Sequence, residues 1–292
     1  MRPPEMEMKR TRSFDGSEIV YQVAGTQGPW IVLANGLGAN TTAWRHQIAY
    51  LSDKHRFLTW EYRGLYAHEE EEQENSPLAG APVDVHAQDM AAVLNAESVK
   101  GGVWMGWSLG AQVLLETFHR NNARPELIVL INPCYGRNPS DVSRLRKLWP
   151  HALWAFEQVP EVIERMVRRM LSWPETVTWL KRLGFVSSAI DEEALGELVK
   201  HFRSVRGVAY LDALRVASSH RVDGILGAVD VPTLAIVGQK DAVTPRPIAE
   251  PMARQIPGAE LFLIRGATHF ALLEYPELIN LRIEKFLREH NM

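Results

Sequence analysis

Gly101-Gly102-Val103-Trp104-Met105-Gly106-Trp107-Ser108-Leu109-Gly110-Ala111 is the stretch on which the rest of the chain turns. An apolar, strand-like approach leads into Gly106-x-Ser108-x-Gly110, and a helical run from Ala111 to Arg120 follows. A serine held on a sharp strand-to-helix turn needs small residues on both sides, because larger side chains would strike the neighbouring strand and helix. Gly106 and Gly110 meet that need. Ser108 then presents its hydroxyl at a helix N-terminus, where free amides and the helix dipole favour developing negative charge.

Working outward, the pattern is one of alternating strands and helices. Glu5 to Arg12 and Glu18 to Val23 read as strands joined by an Asp15-Gly16 turn. Trp30 to Ala34 is a continuous apolar run suited to a strand buried on both faces. Asn35-Gly36-Leu37-Gly38 closes it, and Thr41 or Thr42 is expected to cap a helix running to about Leu51. Phe57 to Tyr62 is a further strand, Val83 to Ala96 a helix and Glu126 to Asn132 another strand. Alternation of this kind implies right-handed crossovers and a mostly parallel sheet. From about Gly136 to Val222 only helical stretches are legible, punctuated by Pro139, Pro150, Pro160, Pro174 and Gly184. Strands resume at Thr233 to Val237 and Leu261 to Ile264, and a helix from Pro276 to Glu289 ends the pattern. The expected organisation is a core of residues 1–135 and 223–292 carrying a helical insertion at 136–222.

Composition bounds the function. The 292 residues are 46% hydrophobic, enough for a large core, and the net charge of −3 gives no whole-chain basic field for nucleic acid. No apolar run approaches the ~20 residues of a membrane span. The N-terminus lacks a signal-peptide core, and the single cysteine, Cys134, excludes an intramolecular disulfide. A cytoplasmic protein is expected. The run Glu69-Glu70-Glu71-Glu72-Gln73-Glu74 reads as a solvated loop.

A serine hydroxyl is a weak nucleophile; it needs a base, and the base needs an orienting partner. Ligands in open α/β sheets bind beyond the carboxyl ends of strands, so histidines and acids just after strands are the useful ones. His269 follows the last strand in Gly266-Ala267-Thr268-His269, and Asp241 follows the strand before it in Gly238-Gln239-Lys240-Asp241. The rival acid position, after the preceding strand, holds Asn132-Pro133-Cys134 and no carboxylate. Acyl transfer also needs two donors for an oxyanion. The backbone N–H groups of Leu109 and Leu37 are the expected pair.

These pieces, with Tyr62-Arg63-Gly64, resemble the α/β-hydrolase superfamily over most of the chain. The resemblance implies a mostly parallel eight-stranded sheet flanked by helices, with a helical cap inserted after the sixth strand. It also implies a Ser108-His269-Asp241 mechanism without cofactor or metal, acting on a carboxylic ester or lactone. Three positions depart from the superfamily pattern. Asn35 stands for the common histidine of the H-G-x-G loop, Ala111 stands where many members have glycine, and Leu65-Tyr66-Ala67-His68 replaces the usual small residues. Trp107, Trp149 and Trp154 are expected to line an apolar acyl pocket beneath the insertion. That insertion carries 14 Lys/Arg against 10 Asp/Glu, which hints at anionic or carrier-bound acyl groups. The Gly106-Trp107-Ser108-Leu109-Gly110 and Asn132-Pro133-Cys134-Tyr135 segments resemble bacterial methyl-ester carboxylesterases acting on carrier-linked acyl chains. Carbon–carbon bond hydrolysis, cofactor-free perhydrolysis and a ligand-binding receptor built on the same fold are the alternatives.

Overall fold

The computed structural model describes residues 3–66, 80–120, 123–134, 165–166, 169–173 and 175–292. The acidic run at 69–74, Trp149 and Trp154 lie outside the described residues.

Eight strands form one sheet: β1 (Glu7–Arg12), β2 (Glu18–Ala24), β3 (Trp30–Ala34), β4 (Arg56–Trp60), β5 (Val103–Trp107), β6 (Leu127–Ile131), β7 (Thr233–Gly238) and β8 (Glu260–Ile264). Their order is β1-β2-β4-β3-β5-β6-β7-β8. Only the β1–β2 and β2–β4 pairings are antiparallel; β4 through β8 run parallel. From β3 the chain crosses to β4 on one side, and after β5 it moves the other way to β6. The order therefore reverses between β3 and β5, and such a switch opens a crevice at the strands' carboxyl ends. Ser108 is the first residue past β5.

The central strands are apolar throughout because helices cover both faces. Ile31 and Leu33 of β3 enter one core cluster and Val32 and Ala34 the other. This is the period-2 alternation of a strand buried twice. On the Val32 face pack α2 (Val83–Ala96) and α3 (Leu109–Arg120); on the Ile31 face pack α1 (Arg45–Leu51) and the long C-terminal helix from Pro276. All ten residues from Leu109 to Phe118 are buried, so α3 is a core helix rather than an amphipathic surface one.

Between β6 and β7 the described residues are helical: α4 (Thr176–Arg182), α5 (Glu192–Phe202), α6 (Gly207–Ser219) and the short α7 (Asp223–Leu226). Leu195 and Leu198 of α5 join the Ile31-side cluster, while Ala209, Ala213 and Ala217 of α6 join the other. The two helices thus straddle the carboxyl edge of the sheet, above Ser108. Then follow α8 (Arg246–Gln255), α9 (Ala271–Glu274) and α10 (Pro276–Glu289).

Sequence expectation and structure part at element ends. A 3-10 turn at Thr41–Trp44 precedes α1, and its cap is Asn40, whose side chain accepts from Thr42 N at 3.1 Å, not Thr41 or Thr42. Asn outranks Thr at such a position. β4 stops at Trp60, and two residues on the Tyr62 hydroxyl donates to the Asn35 carbonyl, 2.7 Å away. α3 begins at Leu109 rather than Ala111, immediately after Ser108.

Candidate active site

Five loops at the strands' carboxyl ends build the site. In the first, Ser108 has φ +54, the left-handed region that costs a side-chain-bearing residue about 1–2 kcal/mol. Neighbours compensate for that strain: Ser108 N donates to Ile131 O at 3.0 Å, and Ala111 N donates to Ser108 O at 3.0 Å. The flanking glycines are required by space. A Cβ on Gly110 would lie 2.0 Å from the Ala34 carbonyl oxygen, and one on Gly106 would lie 2.7 Å from Ala111 N. Ala111 is fully buried, a packing position that a methyl group fills.

The loop after β3 is stapled at both ends. Asn35 is buried and points away from the cavity: its amide donates to Thr59 Oγ1 and Trp60 O, and Trp44 Nε1 donates to its oxygen. Asparagine in place of histidine is thus a satisfied structural residue. The Tyr62 hydroxyl donates to Asn35 O and the Tyr66 hydroxyl to Ala39 O, at 2.7 and 3.0 Å. Between these anchors the Leu37 amide makes no hydrogen bond among the described residues, and neither does that of Leu109. Both donors are free, as an oxyanion site requires.

His269 follows β8, and its Nδ1 stands 2.7 Å from Asp241 Oδ2. The proton of that bond sits on Nδ1, which leaves Nε2 unprotonated in the neutral ring. Asp241 accepts from Val243 N at 2.7 Å and Thr244 N at 2.8 Å. Burial by itself would raise its carboxyl, yet His269 and the Thr244 donors outweigh burial and hold it below the ordinary carboxylate value. The Thr244 hydroxyl lies 2.8 Å from Asp241 Oδ2 and 3.0 Å from Asn132 O, so its single proton serves one at a time.

Ser108, His269, Leu37 and Trp107 border one cavity of about 320 Å³, roofed by Leu195, Phe202, Tyr210 and Leu214 of α5 and α6. A smaller recess of about 50 Å³ leads from Ser108 and Leu37 to Gln112 and Cys134. Burial pushes the Cys134 thiol up to about 11, so it stays protonated at neutral pH. Trp107 both lines the cavity and braces the base, its indole N–H donating to His269 O at 3.0 Å. Trp173 and Trp179 stand half exposed and away from the cavity walls. Among the described residues no group of three or more His, Cys, Asp or Glu converges as a metal site, and no helix is long and apolar enough to cross a membrane.

Two functional positions are missing from the sequence reading. Asn132, at φ +43 and fully buried, donates through Nδ2 to Thr268 O and His269 O at 3.0 Å each. Its Oδ1 accepts from Gly238 N at 2.7 Å, so one side chain ties the loops after β6, β7 and β8 together. Glu274 is the second: its buried carboxylate accepts from Thr268 N, the Thr268 hydroxyl and Ser187 N, fastening the His269 loop to the helices above it. An Asn directly after a strand is the available signal for the first, because Asn tolerates the left-handed region better than other side chains.

A reversed strand order around an elbow serine, with a bonded acid and histidine two and three strands away, defines an α/β fold with its polar groups gathered at the carboxyl edge. Residues 31–280 match the sequence profile of the alpha/beta hydrolase family, and the chain belongs to that family. It is similar to the pimeloyl-[acyl-carrier protein] methyl ester esterase of Vibrio atlanticus, 24% identical over 87% of this chain and 92% of that protein. A protein of Agrobacterium fabrum that bears the provisional name carbamate hydrolase RutD is 25% identical, over 92% of this chain and 96% of its own. Among solved structures, a hydrolase from Pseudomonas aeruginosa PA01 superposes with a TM-score of 0.75 at 22% identity, covering 96% of this chain and 98% of that one.

Proposed function

We propose that the chain is a serine hydrolase that cleaves carboxylic esters through Ser108, His269 and Asp241. The observation that carries this is the gathering of four features around Ser108, in the cavity and the recess beside it. They are a serine at φ +54, a histidine bonded at 2.7 Å to a buried carboxylate, and two unengaged amides, those of Leu37 and Leu109. In the mechanism, His269 Nε2 takes the Ser108 proton as Oγ attacks the ester carbonyl. The Leu37 and Leu109 amides receive the negative charge that develops on the carbonyl oxygen. Asp241 stabilises the imidazolium and holds the ring's orientation. His269 then returns the proton to the leaving alcohol, giving an acyl-enzyme, and activates a water that releases the acid.

The cavity's apolar walls and volume suit a small to medium acyl chain. Residues 136–222 act as a cap over residues 1–135 and 223–292, and the recess of about 50 Å³ has room for a small alkoxy group. The esterase names among the relatives favour methyl esters, including carrier-bound ones. The intact set of serine, histidine and acid argues against a receptor that has lost catalysis.

A panel of methyl and p-nitrophenyl esters from two to twelve carbons tests the reading. We expect turnover that peaks at intermediate length and falls at least about 10³-fold in Ser108→Ala. Hydrolysis undiminished in that variant would overturn it.

A further inference from the structure

Among the described residues, the hydroxyls of the three buried tyrosines have protein acceptors. Tyr21 donates to Glu97, Tyr62 to Asn35 O and Tyr66 to Ala39 O. That is the ordinary condition of a phenol removed from water. Tyr210 differs: it is only partly buried, and its ring forms part of the cavity wall. It lines the cavity that holds Ser108, and its hydroxyl takes no hydrogen bond from or to any described residue. Burial alone raises it above the ordinary tyrosine value, so it is a neutral O–H donor at any working pH.

Its placement is well defined. On α6, Ala209, Ala213 and Ala217 face the core while Tyr210 and Leu214, one turn apart, face the cavity. The Tyr210 ring packs edge-on against Phe202, with centroids 5.0 Å apart. Its Cε2 lies 3.3 Å from where a Cβ on Gly38 would stand, so the phenol sits beside the loop that carries the Leu37 amide. Every other side chain on this wall of the cavity is apolar, including Leu195, Leu198 and Val199.

We propose that Tyr210 is a specificity-determining residue whose hydroxyl donates a hydrogen bond to an acceptor on the substrate's acyl chain. The class selected is esters whose acyl group carries a carbonyl or comparable oxygen in addition to the ester itself. A plain alkyl chain would cover the hydroxyl without pairing it, and a site built to bond a polar group discriminates against the analogue lacking it. This inference rests on the ester-hydrolase reading above.

The test compares methyl hexanoate with methyl 3-oxo-, 4-oxo- and 5-oxohexanoate on the full-length protein and on Tyr210→Phe, each as kcat/KM. The ratio of oxo to alkyl ester within each protein, compared between proteins, cancels intrinsic reactivity. For at least one oxo position that ratio is expected to drop about tenfold in Tyr210→Phe, with the oxo ester slowed and the alkyl ester accelerated. Equal ratios in the two proteins would overturn the proposal, as would a uniform loss on all four esters, which marks a structural role. If no ester is turned over by the parent protein, or turnover survives Ser108→Ala, the ester-hydrolase reading itself fails. Unchanged ratios with Ser108-dependent turnover overturn only the role of Tyr210.

Discussion

The loops at the carboxyl edge of the sheet and the helices above them are built on different principles. Around His269 and Asp241 nearly every polar atom has an assigned partner: Asn132, Thr244, Glu274 and Trp107 each bond a loop other than their own. The helices between β6 and β7 meet the cavity with leucine, valine and aromatic side chains, and several of their large apolar groups are open to solvent, Leu183 at 67% among them. A hydrogen-bonded frame fixes angles, whereas an apolar wall fixes only volume. In the proposed mechanism the chemistry falls to the sheet edge and the choice of substrate to the helices, so substitutions in the two regions should fail differently.

Asp241→Asn removes the charge that balances a protonated His269 and disturbs the proton on Nδ1. It is expected to lower kcat by about 10³–10⁴-fold with little change in KM, read from steady-state kinetics on one ester. Asn132→Gly keeps the left-handed backbone and deletes the side chain that bonds Gly238, Thr268 and His269. A fall in kcat of about 10–100-fold and a loss of about 2–3 kcal/mol in chemical denaturation are expected. A normal kcat would show that the His269 loop holds its position unaided.

Burial opposes ionisation of Asp89, but His86, Arg63 and Ser13 hold its carboxyl below the ordinary value of 3.8, and Asp241 is lowered likewise. Because the unfolded chain takes up these protons first, the stability from both groups is fully present above that value and is lost as pH falls through and below it. Denaturation midpoints should stay flat from about pH 7 to 5 and fall below about 4, less steeply in Asp89→Asn. The smallest effect is expected at the connection between α4 and α5. Phe185 lines the cavity yet is half exposed, so Phe185→Ala should move the melting temperature little while raising KM a few-fold for long acyl chains only. A loss of kcat on short esters would contradict the division between frame and wall.

This division also explains what was legible in the sequence. The apolar runs of β3, β5 and β7 and the Pro276–Glu289 helix announce themselves because burial dictates residue type along their whole length. Ser108, Asp241 and His269 are legible as candidates because each follows a strand, and the structure bonds His269 to Asp241 and sets Ser108 and His269 on one cavity. Asn132 carries no chemical signal of its own, because triad chemistry asks for a carboxylate at that position. Its role depends on three loops distant in the chain, which no local pattern reports. Asn35 is similar: its partners Trp44, Thr59 and Trp60 show why histidine is dispensable there, and only the fold brings them together. The helices above the site leave only an apolar pattern, which serves core and pocket alike, so Tyr210 could not be told from a packing residue.

The central claim is that Ser108 is a nucleophile activated by His269. The most direct measurement is the intact mass of the protein after exposure to an alkyl fluorophosphonate, followed by mapping of the modified peptide. The account predicts one phosphonyl group per chain, on Ser108, absent in Ser108→Ala and formed at least about 10²-fold more slowly in His269→Ala. An unmodified parent protein, or equal labelling of Ser108→Ala, would contradict it.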